Sequence, residues 1–137
     1  MKPLVHAKKS AHKFGGDITD YIEIHNWFDQ TKAHIADSRH RLVLHNAFGI
    51  FLCEQVFGEI AQKADGSFIR MPYITNSAGK QISIRDIAEQ HVLDDVGKIP
   101  SLAECFENTV VPAEFLGGPA ARAIMRVKKD ANFIIVD

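Results

Sequence analysis

Apolar and polar residues recur with helical spacing along the segment from Asn26 to Phe57. At about 100° per residue, Ile35, Leu42 and Cys53 fall on one apolar side, while polar residues occupy the others. The second half of the segment is apolar almost all round. The pattern predicts one long central helix, or two helices that meet near Thr31, with the rest of the chain packed around it.

Shorter elements are predicted on both sides of this segment. Helical spacing, turn residues and short alternating runs mark them. They are predicted at residues 3–14 (helix), 68–75 and 80–84 (the strands of one hairpin), about 85–96 and 101–108 (helices), 120–126 (one or two helical turns) and 132–136 (a terminal strand). We therefore predict a mainly α fold with a small β-hairpin (α+β), in which shorter helices pack on a long central helix.

Length and charge favour one ordinary globular domain. The chain has 137 residues, of which 46% are hydrophobic and 24% charged, and its net charge is −1. We expect a helical domain at residues 1–106 with a hairpin insert at about 59–84. Residues 107–137 are expected to be an extension that packs on the same domain or on a partner subunit. Because there is no global basic field, nucleic acid is not an expected partner.

The sequence favours a cytoplasmic protein. No segment has the roughly 18 apolar residues that a membrane span requires, and the N-terminus lacks the apolar core of a signal peptide. The two cysteines, Cys53 and Cys105, lie in apolar helical contexts outside any zinc-binding pattern. They are expected to be reduced thiols in a reducing compartment.

Histidines and aspartates recur with spacing that suits a metal site. His34, Asp37 and His40 are three residues apart, and His91 precedes Asp94 by three on a later predicted helix. Imidazole and carboxylate are good ligands for zinc, manganese or iron. If the two helices pack together, Asp37, His40, His91 and Asp94 would hold one divalent transition metal. The alternative is that these pairs are hydrogen bonds on a helix surface or in the core.

Basic side chains beside these residues suggest an anionic ligand. Lys32, Arg39 and Arg41 would bind phosphate, since a guanidinium group presents a fork of donors to phosphate oxygens. His45 or Glu54 would act in proton transfer. The alternatives are salt bridges to nearby aspartates for the basic residues, and for Glu54 an arginine or histidine partner or exposure to solvent. No GxSxG, P-loop or GxGxxG motif is present, so covalent catalysis is the less economical hypothesis.

Three segments of the chain resemble an uncharacterised family of small bacterial and phage-encoded proteins, a domain of unknown function. They read KFGGDITDYIEIHNWFDQTKAHIADSRHRLVLHNAFGIFLCEQVFG, then ITNSAGK, then IRDIAEQHVLDDVGKIPS. The resemblance covers roughly residues 4–106 and implies a motif of titratable residues, which suits a site better than it suits packing. These residues are His25, Asp29, Lys32, Asp37, Arg39, His40, Arg41, His45, Glu54, His91 and Asp94. The chain departs from the family at Glu59–Tyr73, which resembles an insertion, and at 107–137, which resembles an added tail.

The leading hypothesis is a metal-dependent hydrolase that acts on a phosphate-containing small molecule such as a nucleotide. A second hypothesis is that the protein binds or sequesters a small anionic ligand without turning it over. In a phage-encoded protein acting in a bacterial host cell, this would suit removal of a host signalling nucleotide. A third is a structural or interaction module whose histidines are hydrogen-bonded in the core. A homo-oligomer is compatible with all three.

Overall fold

The structure is a computed structural model that describes residues 1–115, 117 and the backbone of 134–136. Residues 1–101 form one compact unit, and residues 102–137 belong to a second. The helical turns predicted at 120–126 lie outside the described residues. Within the described residues, no helix combines the length and the apolar character that crossing a membrane requires.

The first unit contains five α-helices and two β-hairpins in its described chain. The helices are α1 (Pro3–Phe14), α2 (Ile22–Phe28), α3 (Arg41–Leu44), α4 (Ala47–Phe57) and α5 (Ile84–Val96). Short 3-10 helices lie at Ile18–Asp20, Gln30–Ala33 and Ser38–His40. The strands are β1 (Ile60–Gln62), β2 (Phe68–Arg70), β3 (Tyr73–Thr75) and β4 (Gln81–Ser83), paired β1 with β2 and β3 with β4, both antiparallel.

The second unit is small in its described part. It contains α6 (Leu102–Phe106), β5 (Val110–Pro112) and a 3-10 helix at Ala113–Phe115. The chain returns as β6 (Ile134–Val136), which pairs with β5 in parallel. The terminal strand predicted at 132–136 is therefore present over its last residues.

The predicted fold class is confirmed, because the chain is mainly helical with small antiparallel strand pairs. The prediction of a single hairpin was wrong, since the chain forms two. The predicted strand at 68–75 is divided at Pro72, whose ring nitrogen has no hydrogen to donate to a ladder. Its first part pairs back with Ile60–Gln62 and its second part pairs forward with Gln81–Ser83.

The prediction of one long central helix, or of two helices that meet near Thr31, was also wrong. The segment from Asn26 to Phe57 contains the end of α2, two 3-10 helices, α3 and α4. Asp37 has an extended backbone, and its side chain accepts a hydrogen bond from the backbone N–H of Arg39. Short polar side chains of this kind compete for backbone hydrogen bonds and end helices, which apolar periodicity alone does not reveal.

The break between α3 and α4 is fixed by Asn46. Its backbone is extended, and its side-chain oxygen accepts from the N–H of Gly49 at 2.9 Å. Its side-chain nitrogen donates to the carbonyls of Leu42 and Val43, both at 3.1 Å. One side chain thus caps the ends of two helices at the joint. A glycine is required in the following turn, because a Cβ on Gly49 would lie 1.7 Å from the carbonyl oxygen of Leu44.

Helix α5 lies at the centre of the first unit and packs against α1, α2 and α4. Its buried face contributes Ile84, Ile87, Ala88 and Val92 to a core that also contains Tyr21 and residues from the other helices. The same interior holds many polar side chains. The buried histidines are His6, His25, His40, His45 and His91. Because a buried polar group is costly unless it has a partner, so many imidazoles in one small core require an explanation.

We predict that Gly49→Ala destabilises the first unit by about 1–3 kcal/mol or more, because α3 and α4 must separate to admit the new methyl group. The measurement is the midpoint of urea unfolding followed by circular dichroism. Gln55→Ala, at an exposed position of the same helix, is the control and should change stability by less than about 0.5 kcal/mol. Equal midpoints for the two variants would contradict the close approach at Gly49.

A candidate metal centre

Two imidazoles and two carboxylates converge in the interior of the first unit. Asp29 follows the last residue of α2, and His45 follows the last residue of α3. His91 and Asp95 both lie on α5. Since four residues is close to one helical turn, these two side chains project from the same face of α5. Three chain segments thus direct ligand-type atoms at a common point. The ends of α2 and α3 contribute one atom each, and α5 contributes two.

The four converging atoms are close enough to share one ion. The Nε2 atoms of His45 and His91 are 3.1 Å apart. Asp95 Oδ2 lies 3.0 Å from Nε2 of His45 and 3.2 Å from Nε2 of His91. Asp29 Oδ1 lies 3.4 Å from each of the same two nitrogens. A zinc ion held at about 2.0–2.1 Å by four tetrahedral ligands separates each pair of ligand atoms by about 3.3–3.4 Å.

Hydrogen bonds alone do not satisfy this arrangement. Each Nε2 atom carries at most one hydrogen. Yet each lies within 3.4 Å of three atoms, namely the other Nε2 atom and one oxygen of each carboxylate. Asp29 Oδ1 is buried and has no hydrogen-bond partner of acceptable geometry. A cation at the common point would contact all four atoms at once. Nitrogen and oxygen donors of this kind suit zinc, manganese and iron.

Electrostatics keep the two carboxylates of the centre ionised. Burial by itself would raise the pKa of Asp95, but hydrogen bonds with His45, His6 and His91 hold it well below its usual range. The pKa of Asp29 is lowered in the same way. Burial by itself would raise it, but the contacts with His45 and His91 outweigh that effect. Burial would lower the pKa of His45, and the two carboxylates raise it above the ordinary value. Both carboxylates are therefore ionised and available to a cation.

Each carboxylate presents one oxygen to the centre and uses the other to hold its position. Asp95 Oδ1 contacts His6 Nε2 at 3.1 Å and the α-amino group of Met1 at 3.0 Å. Asp29 Oδ2 accepts a hydrogen bond from Lys32 Nζ at 3.3 Å. Outer contacts of this kind orient metal ligands in proteins.

Two cations form the partly exposed edge of the centre. The side chain of Lys32 is 49% exposed and that of Arg41 is 33% exposed, whereas the four inner side chains are at most 6% exposed. Arg41 Nη1 donates to the backbone carbonyl of Asp95 at 3.5 Å. His40 is buried beside them, with its ring edge-on to that of His45. The edge where Lys32 and Arg41 lie therefore joins the buried ligands to solvent.

The predicted metal ligands are distributed differently. Of Asp37, His40, His91 and Asp94, the structure places His91 alone in the centre. Asp94 instead accepts a hydrogen bond from Lys9 at 2.9 Å, one position along the helix from the converging Asp95. In the described chain, no close group of potential ligands combines His91 with Asp37 or His40.

Asp37 and His40 have other partners. Asp37 is on the surface, where Arg39 binds it through several hydrogen bonds and holds its pKa at about 2. His40 Nδ1 lies 3.3 Å from the hydroxyl of Thr31. Burial lowers the pKa of His40, an effect that Lys32 reinforces. The salt bridge considered from the sequence for Arg39 is thus the contact that this residue makes.

Of the remaining predicted site residues, three lie in or beside the centre and one lies outside it. Lys32 and Arg41 lie beside the centre, as an anion-binding role requires. His45, predicted for proton transfer, is positioned as a ligand. Glu54 lies outside the centre and accepts from Arg85 Nε at 3.0 Å, so its role in proton transfer stays a prediction without geometric support.

Sequence reasoning missed Asp29 and Asp95 as ligands. The spacing His91-x-x-x-Asp95 would have indicated a shared helix face, but the neighbouring Asp94 was chosen instead. In the sequence, Asp29 stands out only as a position of the family motif. Its placement beside His45 depends on the interruptions between α2 and α3, which an unbroken helix over this segment excludes.

A second close group, His6, His25 and His91, is less suited to an ion. The ring of His6 stacks on that of His91 with centroids 3.9 Å apart and planes 28° apart. The lone pair of an imidazole nitrogen lies in the plane of its ring. Stacked rings therefore aim their nitrogens past each other, and these residues are better placed as supports of the centre.

The chain belongs to the family described as Domain of unknown function (DUF6915), whose profile matches residues 1–75 and 68–113. This confirms the resemblance noted in the sequence. No curated protein and no solved structure matches the chain. The family description assigns no activity, so the geometry of the centre is what bears on function.

We predict that the protein binds one divalent transition metal ion per chain, measured by elemental analysis after incubation with Zn²⁺ or by the visible absorption of bound Co²⁺. Asp95→Asn and His45→Ala should abolish binding, since each removes an inner ligand. The matched substitutions Asp37→Asn and His40→Ala should leave the stoichiometry unchanged. Loss of metal in Asp37→Asn with retention in Asp95→Asn would contradict the centre and restore the ligand set predicted from sequence.

Proposed function

We propose that this member of the DUF6915 family is a metal-dependent hydrolase that acts on a phosphate-containing small molecule such as a nucleotide. The observation that carries the proposal is the convergence of two imidazole nitrogens and two carboxylate oxygens at 3.0–3.4 Å beside two basic side chains. The metal assignment is revised from the sequence, with Asp29, His45, His91 and Asp95 as the ligands.

A divalent ion at such a centre supplies a Lewis acid and lowers the pKa of a bound water molecule towards neutrality. The chain's own residues then have defined tasks. His45 and His91 bind through neutral nitrogens, and the two aspartates balance the charge of the ion. Cys53 is not a competing nucleophile, because burial raises the pKa of its thiol to about 12.

Lys32 and Arg41 are proposed to bind the phosphate group. Each now contacts a carboxylate of the centre, Lys32 at 3.3 Å from Asp29 and Arg41 at 3.8 Å from Asp95. When those carboxylates bind a cation, their negative charge is shared and the two basic groups can turn to an anion. Partial exposure leaves both long side chains able to reach a ligand that arrives from solvent.

The burial of all four inner ligands favours a second candidate function, a structural metal site. Structural zinc sites are closed by four protein ligands, whereas catalytic sites keep a position for water or substrate. A protein of that kind would be the interaction module considered from the sequence. Binding of an anion at Lys32 and Arg41 without turnover would be the sequestration alternative.

We predict that metal-loaded protein converts at least one phosphate-containing compound in a panel of nucleotides, with products identified by mass spectrometry. Arg41→Ala should raise KM by roughly 10-fold or more, since a charge-assisted hydrogen bond to phosphate contributes about 1.5–3 kcal/mol. Arg39→Ala is the matched control, because Arg39 is exposed and bound to Asp37, and it should leave KM unchanged.

The outcomes separate the alternatives. Turnover that disappears in Asp95→Asn supports the hydrolase. Intact ligand recovered after denaturation of a stable complex would replace hydrolysis by sequestration. Tight metal binding with a large rise in unfolding temperature, and no binding or turnover across the panel, would replace it by a structural metal site.

A further inference from the structure

A row of buried polar side chains leads away from the centre, starting behind His91. His91 Nδ1 lies 2.9 Å from His25 Nδ1. The other nitrogen of His25, Nε2, lies 2.7 Å from the hydroxyl oxygen of Ser10. That hydroxyl lies 2.7 Å from Gln90 Oε1, and Gln90 Nε2 donates to the backbone carbonyl of His6 at 3.1 Å. His25, His91 and Ser10 have no solvent exposure, and Gln90 has 8%.

The hydrogen bonds of this row have one consistent direction when His91 binds a metal through Nε2. The remaining ring proton of His91 must then be on Nδ1, which donates to His25 Nδ1. His25 consequently carries its own proton on Nε2 and donates it to Ser10. The hydroxyl of Ser10 donates to Gln90 Oε1. Every donor has an acceptor, and the row ends at a backbone carbonyl that can only accept.

Burial agrees with a neutral His25. Its side chain has no solvent exposure, and a charged imidazole is costly in such a place. A neutral imidazole has one donor and one acceptor nitrogen, which is what a relay between a donor and a hydroxyl oxygen requires. The reverse tautomer would place two N–H groups against each other across the 2.9 Å contact with His91.

We propose that His25, held in one tautomer by Ser10 and Gln90, is a positioning residue that fixes the tautomer and ring orientation of His91 and so sets the metal affinity of the centre. This inference rests on the metal centre of the proposed function. Groups that accept the second N–H of a metal-bound histidine typically change metal affinity by about 10–100-fold when they are removed. His25 supplies that acceptor from α2, and α1 supplies the hydroxyl that orders His25.

The test compares two substitutions that differ in one acceptor. His25→Phe keeps an aromatic ring but offers nothing to His91 Nδ1–H, and should weaken Zn²⁺ or Co²⁺ affinity by about 10–100-fold in competition with a chromophoric chelator. His25→Asn places a side-chain oxygen near the position of Nδ1 and should restore most of the affinity. His34→Phe, at an exposed position outside the centre, is the control for loss of a histidine.

Ser10→Ala offers a second, smaller change. It removes the hydroxyl that orders His25 and leaves both histidines unchanged. Metal affinity should fall more than in His25→Asn and less than in His25→Phe. Thermal unfolding of each metal-free variant separates loss of affinity from loss of folding.

A direct readout needs no variant. Long-range nitrogen–proton NMR of Zn²⁺-loaded wild type should show His91 with its proton on Nδ1 and His25 with its proton on Nε2. A packing role alone would not select these tautomers. The opposite tautomer at His25, or equal metal affinity in wild type and His25→Phe, would overturn the inference while leaving the hydrolase proposal intact. Wild type that shows the expected affinities but hydrolyses nothing would overturn only the hydrolase, and wild type that binds no metal would overturn both.

Discussion

The first unit is organised around the cost of holding two ionised carboxylates inside a protein core. An ionised carboxylate removed from water without a partner is very unfavourable. The side chains of Asp29 and Asp95 are at most 6% exposed, yet their pKa values are lowered. The neighbouring imidazoles, the amino group of Met1 and the side chain of Lys32 offset this cost. Removing one carboxylate would leave these positive or polar groups without their partner, so the cluster is interdependent.

The same constraint explains why the central segment is not one helix. At a rise of about 1.5 Å per residue, Asp29 and His45 would be about 24 Å apart on a continuous helix. In the structure, Asp29 Oδ1 and His45 Nε2 lie 3.4 Å apart, because two 3-10 helices interrupt the chain between α2 and α3. Helix α3 then ends at Leu44, immediately before His45, and the cap at Asn46 begins α4. The breaks in the helix are therefore what create the centre.

This also sets the limit of prediction from sequence. Periodicity identified α1, α5 and the mainly helical class, because a helix that buries one face must repeat its apolar residues. It failed between Asn26 and Phe57, where apolar spacing continues across caps formed by Asp37 and Asn46. Composition indicated a metal site of histidine and aspartate. The spacing of His91 from Asp94 and from Asp95 places either carboxylate near its face of α5, and choosing Asp95 required knowing which side of α5 faces Asp29 and His45.

The charges at the edge of the centre bear on whether it is structural or catalytic. With a divalent ion bound, Asp29 and Asp95 balance its charge. Lys32, Arg41 and the amino group of Met1 would then remain as positive groups beside a neutral site, with their former partners shared with the ion. A purely structural site gains nothing from such a surplus, since like charges close together are unfavourable at low dielectric. In the proposed function, a phosphate group bound by Lys32 and Arg41 would reduce this surplus, because phosphate offers several acceptor oxygens to these donors.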